Sequence, residues 1–299
     1  MQPLIGVVLS SVIAGLATAP IGAAHFNAVA HYGLIANLAS VPLMGALVIP
    51  AAVLALLLAP FGLDWIGLWI MGLGLRWILW VADTIAGLDG ARGFVAGPNV
   101  WVLPLMAMGA LFVILWQGRT RFAGVVVVIA SLALWQFGAR PSVLIADTGG
   151  LIGVMTKQGR ALSREKGAGF VARNWLENDG DGVGQDLAAA RWSGVQVTGF
   201  RLVHLSGKRA AAAFQGCDPG DIVVMNTEPE AAMPADCLVI EPKLLRSTGA
   251  LALVGEDKAA RLVSARDIGG DRMWSGWARY EKTQLTLPSR TNTLAEKTK

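Results

Sequence analysis

The sequence predicts an α-helical polytopic membrane domain followed by a soluble α+β domain, and three observations lead there. Of the 299 residues, 54 % are hydrophobic and only 15 % charged, against about 25 % charged in an average soluble domain. The charge is divided unevenly: residues 1–140 hold five basic side chains (Arg76, Arg92, Arg119, Arg121, Arg140) and three acidic ones (Asp64, Asp83, Asp89), and all the rest follow. Long apolar runs fill the first part. The domain organisation read from this is a transmembrane domain over 1–140, an extracytoplasmic α+β domain over 141–271, and a disordered tail over 272–299.

The N-terminus "MQPLIGVVLSSVIAGLATAPIGAA" lacks the basic start of a signal peptide and is followed by further apolar runs, so it reads as a membrane helix. A spanning helix needs about 20 mostly apolar residues. Five runs are candidates: Pro3–Ala19, Leu34–Ala59, Trp65–Leu88, Val100–Gln117 and Phe122–Gly138. The second contains Pro42 and Pro50, each of which frees a carbonyl one turn back. Groups freed within lipid must be satisfied by neighbours or water, which favours a place inside a bundle or beside a cavity.

The link "RTR" (Arg119, Thr120, Arg121) between the last two runs is the best cytoplasmic marker. With five spans it places the N-terminus in the cytoplasm and the soluble domain outside. Trp65, Trp101, Trp116 and Trp135 fall near span ends, where an amphipathic ring prefers the interface.

Between the first two runs lies "HFNAVAHYG". Read as a helix, it places His25, Val29 and Tyr32 on one face and Asn27 and His31 on another. From Pro20 to Gly33 it is too short to cross, so it predicts a short interfacial or re-entrant helix, with Asn37 at the head of the next span. These side chains either line a path for a translocated solute or hydrogen-bond between helices. In the third run Trp69, Leu73, Arg76, Trp80 and Asp83 share one helical stripe. A mid-span guanidinium costs at least about 2.5 kcal/mol on insertion scales. The stripe is either an Arg–Asp structural pair or an aromatic and cationic wall on which a nucleic-acid strand stacks and pairs its phosphates.

The stretch "ATAPIGAAHFNAVAHYGLIANLASVPLMGALVIPAAVLALLLAPFGL" resembles the later part of the membrane domain of ComEC-type competence proteins, the inner-membrane channels for DNA uptake. The features that carry it are a proline before "HFN", then "GLIANL" and "VPL", then a proline-broken apolar run. It is specific over Ala19–Leu63 and looser beyond. The resemblance implies translocation of single-stranded DNA across the inner (cytoplasmic) membrane of a bacterium, where the outside onto which the arginine placement puts the α+β domain is the periplasm. It also implies that this chain is a C-terminal portion, a truncated or split form. The partners implied are single-stranded DNA, the lipid bilayer, and other competence proteins or a separate chain carrying the missing N-terminal spans, with homo-oligomerisation a further expectation.

Many such relatives end in a metallo-β-lactamase-like domain built on a histidine-rich metal site. The one histidine outside the membrane half here is His204. The tail therefore resembles a histidine-poor, degenerate form, and neither a metal, a cofactor nor an enzymatic activity is expected. "PSVLIADTGGLIGVMTKQGRAL" reads as a β-meander and "AGFVARNWLENDGD" as a helix ending in a loop. "Asp-Gly-Asp-Gly" at Asp179–Gly182 lacks the ligand alternation of a calcium loop. Cys217 and Cys237 are too few for a disulfide scaffold but can form one bridge in an oxidising compartment. The whole chain carries +4, but the soluble half, with twenty basic and eighteen acidic groups, is nearly balanced and its charges are interspersed, so it shows no nucleic-acid footprint. The leading expectation is a channel component for DNA uptake; the alternatives are a small-solute permease of another class or a non-conducting remnant.

Overall fold

The computed structural model describes residues 2–192, 196–197, 199–214, 216–229, 237–255, 260–270 and 287. The expected disordered tail, residue 287 apart, lies outside the described residues. The chain divides into two compact units, Met1–Phe137 and Gly138–Lys299.

The first unit is helical. Helix α1 (Gln2–Phe26) runs unbroken through Pro20. Helix α2 (Gly33–Leu43), a π-helical turn (Met44–Val48), α3 (Ile49–Leu58) and a 3-10 turn (Ala59–Phe61) follow one another without a break. Neither Pro42 nor Pro50 can donate to the ladder, and the wider π turn sits between them. Helix α4 spans Asp64–Ala86, α5 Val102–Leu115 and α6 Phe122–Trp135. Val8–Phe26, Gly33–Phe61 and Asp64–Ala86 are long and apolar enough to cross a membrane, whereas Val102–Leu115 is apolar but shorter.

Helix α4 packs along α2 and α3 through a face of small residues. Gly67, Gly74 and Val81 are buried at seven-residue intervals. A Cβ on Gly67 would come within 2.6 Å of the Ala55 Cα, and one on Gly74 within 2.6 Å of Val48 Cγ2. Trp77 Nε1 donates to the Ala39 carbonyl at 3.1 Å, in the turn crowded by the Pro42 ring. Helices α5 and α6 form an antiparallel pair that touches backbone to backbone, since a Cβ on Gly109 would lie 2.8 Å from the Gly124 carbonyl oxygen.

One expectation is corrected here. The segment from Pro20 to Gly33 is not an interfacial helix: its first part belongs to α1, and Asn27 then turns left-handed at φ 51°. Strand β1 (Ala28–Ala30) follows and pairs antiparallel with β2 (Arg92–Phe94). Asparagine tolerates that backbone better than most residues, which ends the helix where polarity alone would continue it.

The second unit contains, in order, β3 (Val143–Ile145), β4 (Ile152–Thr156), β5 (Gly159–Leu162), α7 (Gly169–Asn178), α8 (Gln185–Ala190), β6 (Gln196–Val197), β7 (Phe200–Leu205), α9 (Lys208–Ala212), β8 (Asp221–Met225), β9 (Leu238–Ile240), α10 (Pro242–Thr248), β10 (Leu251–Val254), β11 (Arg261–Ser264) and α11 (Ala265–Gly269). One sheet has the order β11-β10-β3-β4-β5 and is antiparallel throughout; the other, β6-β7-β8-β9, is parallel from β7 to β9. The two share one core, in which Val143, Ile145, Ile152 and Val154 meet Phe200, Leu202, Ile222 and Val224. Helices α7 and α8 bury Ala172, Leu176 and Ala188 against Ala146, Leu151 and Leu162 in a second cluster.

Candidate functional site

Helix α4 sorts its residues onto two faces. Gly67, Gly74 and Val81 are buried, while Trp69 (61 % exposed), Leu73, Arg76, Trp80 (58 % exposed) and Asp83 face away from the chain's own helices. From Trp69 to Asp83 this stripe covers about 21 Å of axis at 1.5 Å per residue. Arg76 and Asp83 lie about 10 Å apart along it by the same measure. No ion pair or hydrogen bond to the Arg76 side chain is found among the described residues, so the structural Arg–Asp pair is not formed within this chain. Trp80 and Trp77 rest at a centroid distance of 5.2 Å, and Trp77 is anchored through its bond to Ala39. The stripe therefore offers two indole surfaces and a guanidinium on a firmly packed helix.

The polar residues of "HFNAVAHYG" go elsewhere. At the end of the unit where α1 finishes and α2 begins, they tie one loop to another. His31 Nδ1 lies 2.7 Å from the Gly90 carbonyl and the His31 N–H donates to Ala91 at 3.0 Å. Asn27 Nδ2 donates to the Val95 carbonyl at 3.4 Å and the Val95 N–H to Asn27 at 2.9 Å. Tyr32 reaches the Asp89 carbonyl at 3.5 Å. The His31 Nε2 edge comes close to Gly93, where any Cβ would collide with it. His25 Nδ1 turns back onto the Ile21 carbonyl of its own helix at 2.8 Å. Each of these groups is thus engaged with a backbone carbonyl. Asn37, on α2, is exposed, as are Pro42 and Pro50. The candidate residues thus separate into a loop tie and an open stripe.

The first unit also holds a groove of about 300 Å³ between α1, the β1–β2 ribbon and α6, lined by Ala19, Pro20, Ala23, Val29, Val95, Leu132, Trp135 and Gln136. Its walls are apolar and none of the candidate polar residues faces it, so it is a poor conduit for an ion or a nucleotide.

In the second unit, sequence reasoning missed a polar crest at the carboxyl ends of the parallel strands, the usual place for a ligand in such sheets. His204 Nε2 lies 3.0 Å from the Gly149 carbonyl, and burial, partly opposed by that bond and helped by the Arg164 charge, holds its pKa below the ordinary 6.5. Asn226 accepts from the Gly207 N–H at 2.7 Å and donates to Ser206 at 3.3 Å, and the neighbouring Thr227 hydroxyl is buried without a partner among the described residues. The crossover from β7 to β8 could have announced this crest, but a parallel pairing leaves no local mark. The donors present do not fit a metal: the single imidazole is engaged with a carbonyl, and no group of three His, Cys, Asp or Glu side chains able to hold an ion occurs among the described residues. Cys217 and Cys237 are joined as a disulfide, with Cα atoms 6.2 Å apart, at the opposite ends of β8 and β9. Beside it Arg201 grips Asp221 through both carboxylate oxygens. Burial raises the Asp221 carboxyl, but the Arg201 bond and the Asp218 N–H outweigh it and hold the carboxyl below its ordinary range.

The family model described as Competence protein matches residues 2–120, in agreement with the resemblance to ComEC-type proteins read from Ala19–Leu63. No curated protein and no solved structure matches the chain.

Proposed function

We propose that this chain supplies helices to an inner-membrane pathway for single-stranded DNA in natural transformation, with the α4 stripe as its contact to the strand. The competence-protein match over residues 2–120 and the apolar helices support a membrane component of competence. The observation that carries the finer reading is Arg76, a mid-helix guanidinium without a protein partner among the described residues, set between Trp69 and Trp80. Left against acyl chains it would cost at least about 2.5 kcal/mol. Facing a wet path it can meet a phosphate while the indoles stack on bases, at about 1–3 kcal/mol per stacked base. The wall opposite α4 would come from further membrane segments, on a separate chain, another competence protein or a second copy of this one.

The αβ unit is read as a non-catalytic periplasmic module, a degenerate relative of metallo-β-lactamase-like tails. Its disulfide favours an oxidising compartment, and the arginines at the α5–α6 link favour the cytoplasm for the opposite end of the five helical segments.

The test is Arg76→Leu and Trp80→Ala in a competent strain, scoring membrane insertion and internalised labelled DNA separately. Normal insertion with uptake reduced several-fold is expected. Unchanged uptake, or an Arg76→Cys side chain that water-borne thiol reagents cannot reach in the intact assembly, removes the conduit and leaves an anchor.

A further inference from the structure

The α5–α6 hairpin ends in a charged tip that its length leaves short of a membrane surface. Each helix has 14 residues, or about 21 Å of rise, against about 30 Å of hydrocarbon in a typical bilayer. By the same measure α4, with 23 residues, reaches about 35 Å. The hairpin cannot stretch, because Gly109 and Gly124 lock its helices backbone to backbone. Beyond the helices the chain leaves α-geometry: Trp116 is extended, Gly118 takes φ 78°, and Arg119–Arg121 forms one 3-10 turn. Backbone of that kind is not tolerated against acyl chains.

The tip is also strongly one-signed. Arg119 and Arg121 are both exposed, neither forms an ion pair among the described residues, and no Asp or Glu occurs in the sequence between Asp89 and Asp147. Around them lie Trp116 (54 % exposed), stacked on Phe112 at 4.9 Å, and Phe122 (63 % exposed). Aromatic rings with guanidiniums just beyond them form the pattern of a membrane interface. The interface must therefore come to the tip.

We propose that Arg119 and Arg121 hold the headgroup phosphates of anionic phospholipids drawn inward to the hairpin tip, so that the bilayer is locally thin there. A short hydrophobic element is met by thinning and by snorkelling of its flanking cations. The partner is a lipid and not a free anion, because the guanidiniums sit at the end of an apolar hairpin that only a lipid headgroup can follow.

The test uses the full chain reconstituted in bilayers of phosphatidylcholine with and without phosphatidylglycerol. Enrichment of phosphatidylglycerol around the protein is measured by its exchange with labelled lipid. Arg119→Gln/Arg121→Gln is expected to reduce the enrichment by about fivefold per arginine, about 25-fold for the pair. Excess inorganic phosphate should leave the wild-type enrichment unchanged. Equal enrichment in the double variant overturns the proposal, and so does displacement by inorganic phosphate, which would make the tip a soluble-anion site. A spin label at Gln117→Cys keeps the test open if the double variant fails to insert. It should lie at the phosphate plane in phosphatidylglycerol bilayers, and a label buried in hydrocarbon whatever the lipid overturns the proposal.

Discussion

The two units treat arginine in opposite ways. In the αβ unit Arg160 is fully buried, with its Nε and Nη2 on the two carboxylate oxygens of Asp179 and further bonds to the Gly153 and Pro141 carbonyls at 3.3 Å. Arg191 pairs with Asp181, Arg201 with Asp218 and Asp221, and Arg246 with Glu228. In the helical unit Arg76, Arg119 and Arg121 are exposed and reach no carboxylate among the described residues. A guanidinium taken out of water needs a partner in either setting. Arg160 and Arg191, the two largely out of water, find it inside the chain and so serve the fold. Arg201 and Arg246 keep half or more of their side chains in water, where a pair adds little. Those of the helical unit must find it outside, in lipid, water or a bound strand, and so serve what the chain contacts.

The sharpest way to break this contrast is at Asp179. Asp179→Ala leaves Arg160 buried without its counter-charge, an arrangement that costs about 3–5 kcal/mol. Hydrogen exchange on the full chain should show β4, β5 and α7 losing protection, with α1–α4 unaffected. Protection equal to wild type would mean that the buried pair carries none of the fold. The Cys217–Cys237 bridge comes next. It closes a loop with a sequence separation of 20, for which chain entropy gives about 3 kcal/mol. Reduction, or Cys217→Ser with Cys237→Ser, should lower the melting temperature of the αβ unit alone. A melt insensitive to reductant would remove the bridge as a support.

A smaller effect belongs to His204. Its folded pKa lies below the ordinary 6.5, so the unfolded chain binds the proton more readily. The stability this contributes is present above about 6.5 and is lost as pH falls through the folded value. His204→Gln should flatten the decline of αβ-unit stability below pH 6.5, in melts taken across that range. A slope equal to wild type would assign the acid sensitivity elsewhere.

What could be read from the sequence follows the range of the forces involved. The helices are local: apolar periodicity placed Gly33–Phe61 and Asp64–Ala86 within two residues of the expected runs, and the α4 stripe stayed on one face. The β3–β4–β5 meander is equally local, with its turns marked by glycine. The ribbon was not legible. Its two strands are separated by the whole of α2, α3 and α4, and Arg92–Phe94 has no strand pattern of its own. The destination of His31 and Asn27 therefore could not be foreseen, since their partners are carbonyls brought up by that pairing. The same holds for the crest around His204, assembled by parallel strands. The packed face of α4 did leave a signal in the spacing of Gly67 and Gly74, which the tryptophans opposite overshadowed.

The smallest expected change in stability is at Arg76, and it bears most directly on the contrast. If the side chain has no partner within the fold, Arg76→Leu should alter the thermal stability of the helical unit by no more than about 0.5 kcal/mol, the range for substitutions away from packed features. In a plain bilayer it should even stabilise, since a leucine removes the cost of a guanidinium held against lipid. Arg160→Leu, at a position of the same residue type, should cost the several kilocalories expected when a buried pair is broken from the other side. Detergent-solubilised full chain allows both to be followed at once, by exchange in α4 and in β5. A large loss at Arg76 would mean that the guanidinium anchors its helix after all, and the open face of α4 would then be part of the fold and not a surface for something else.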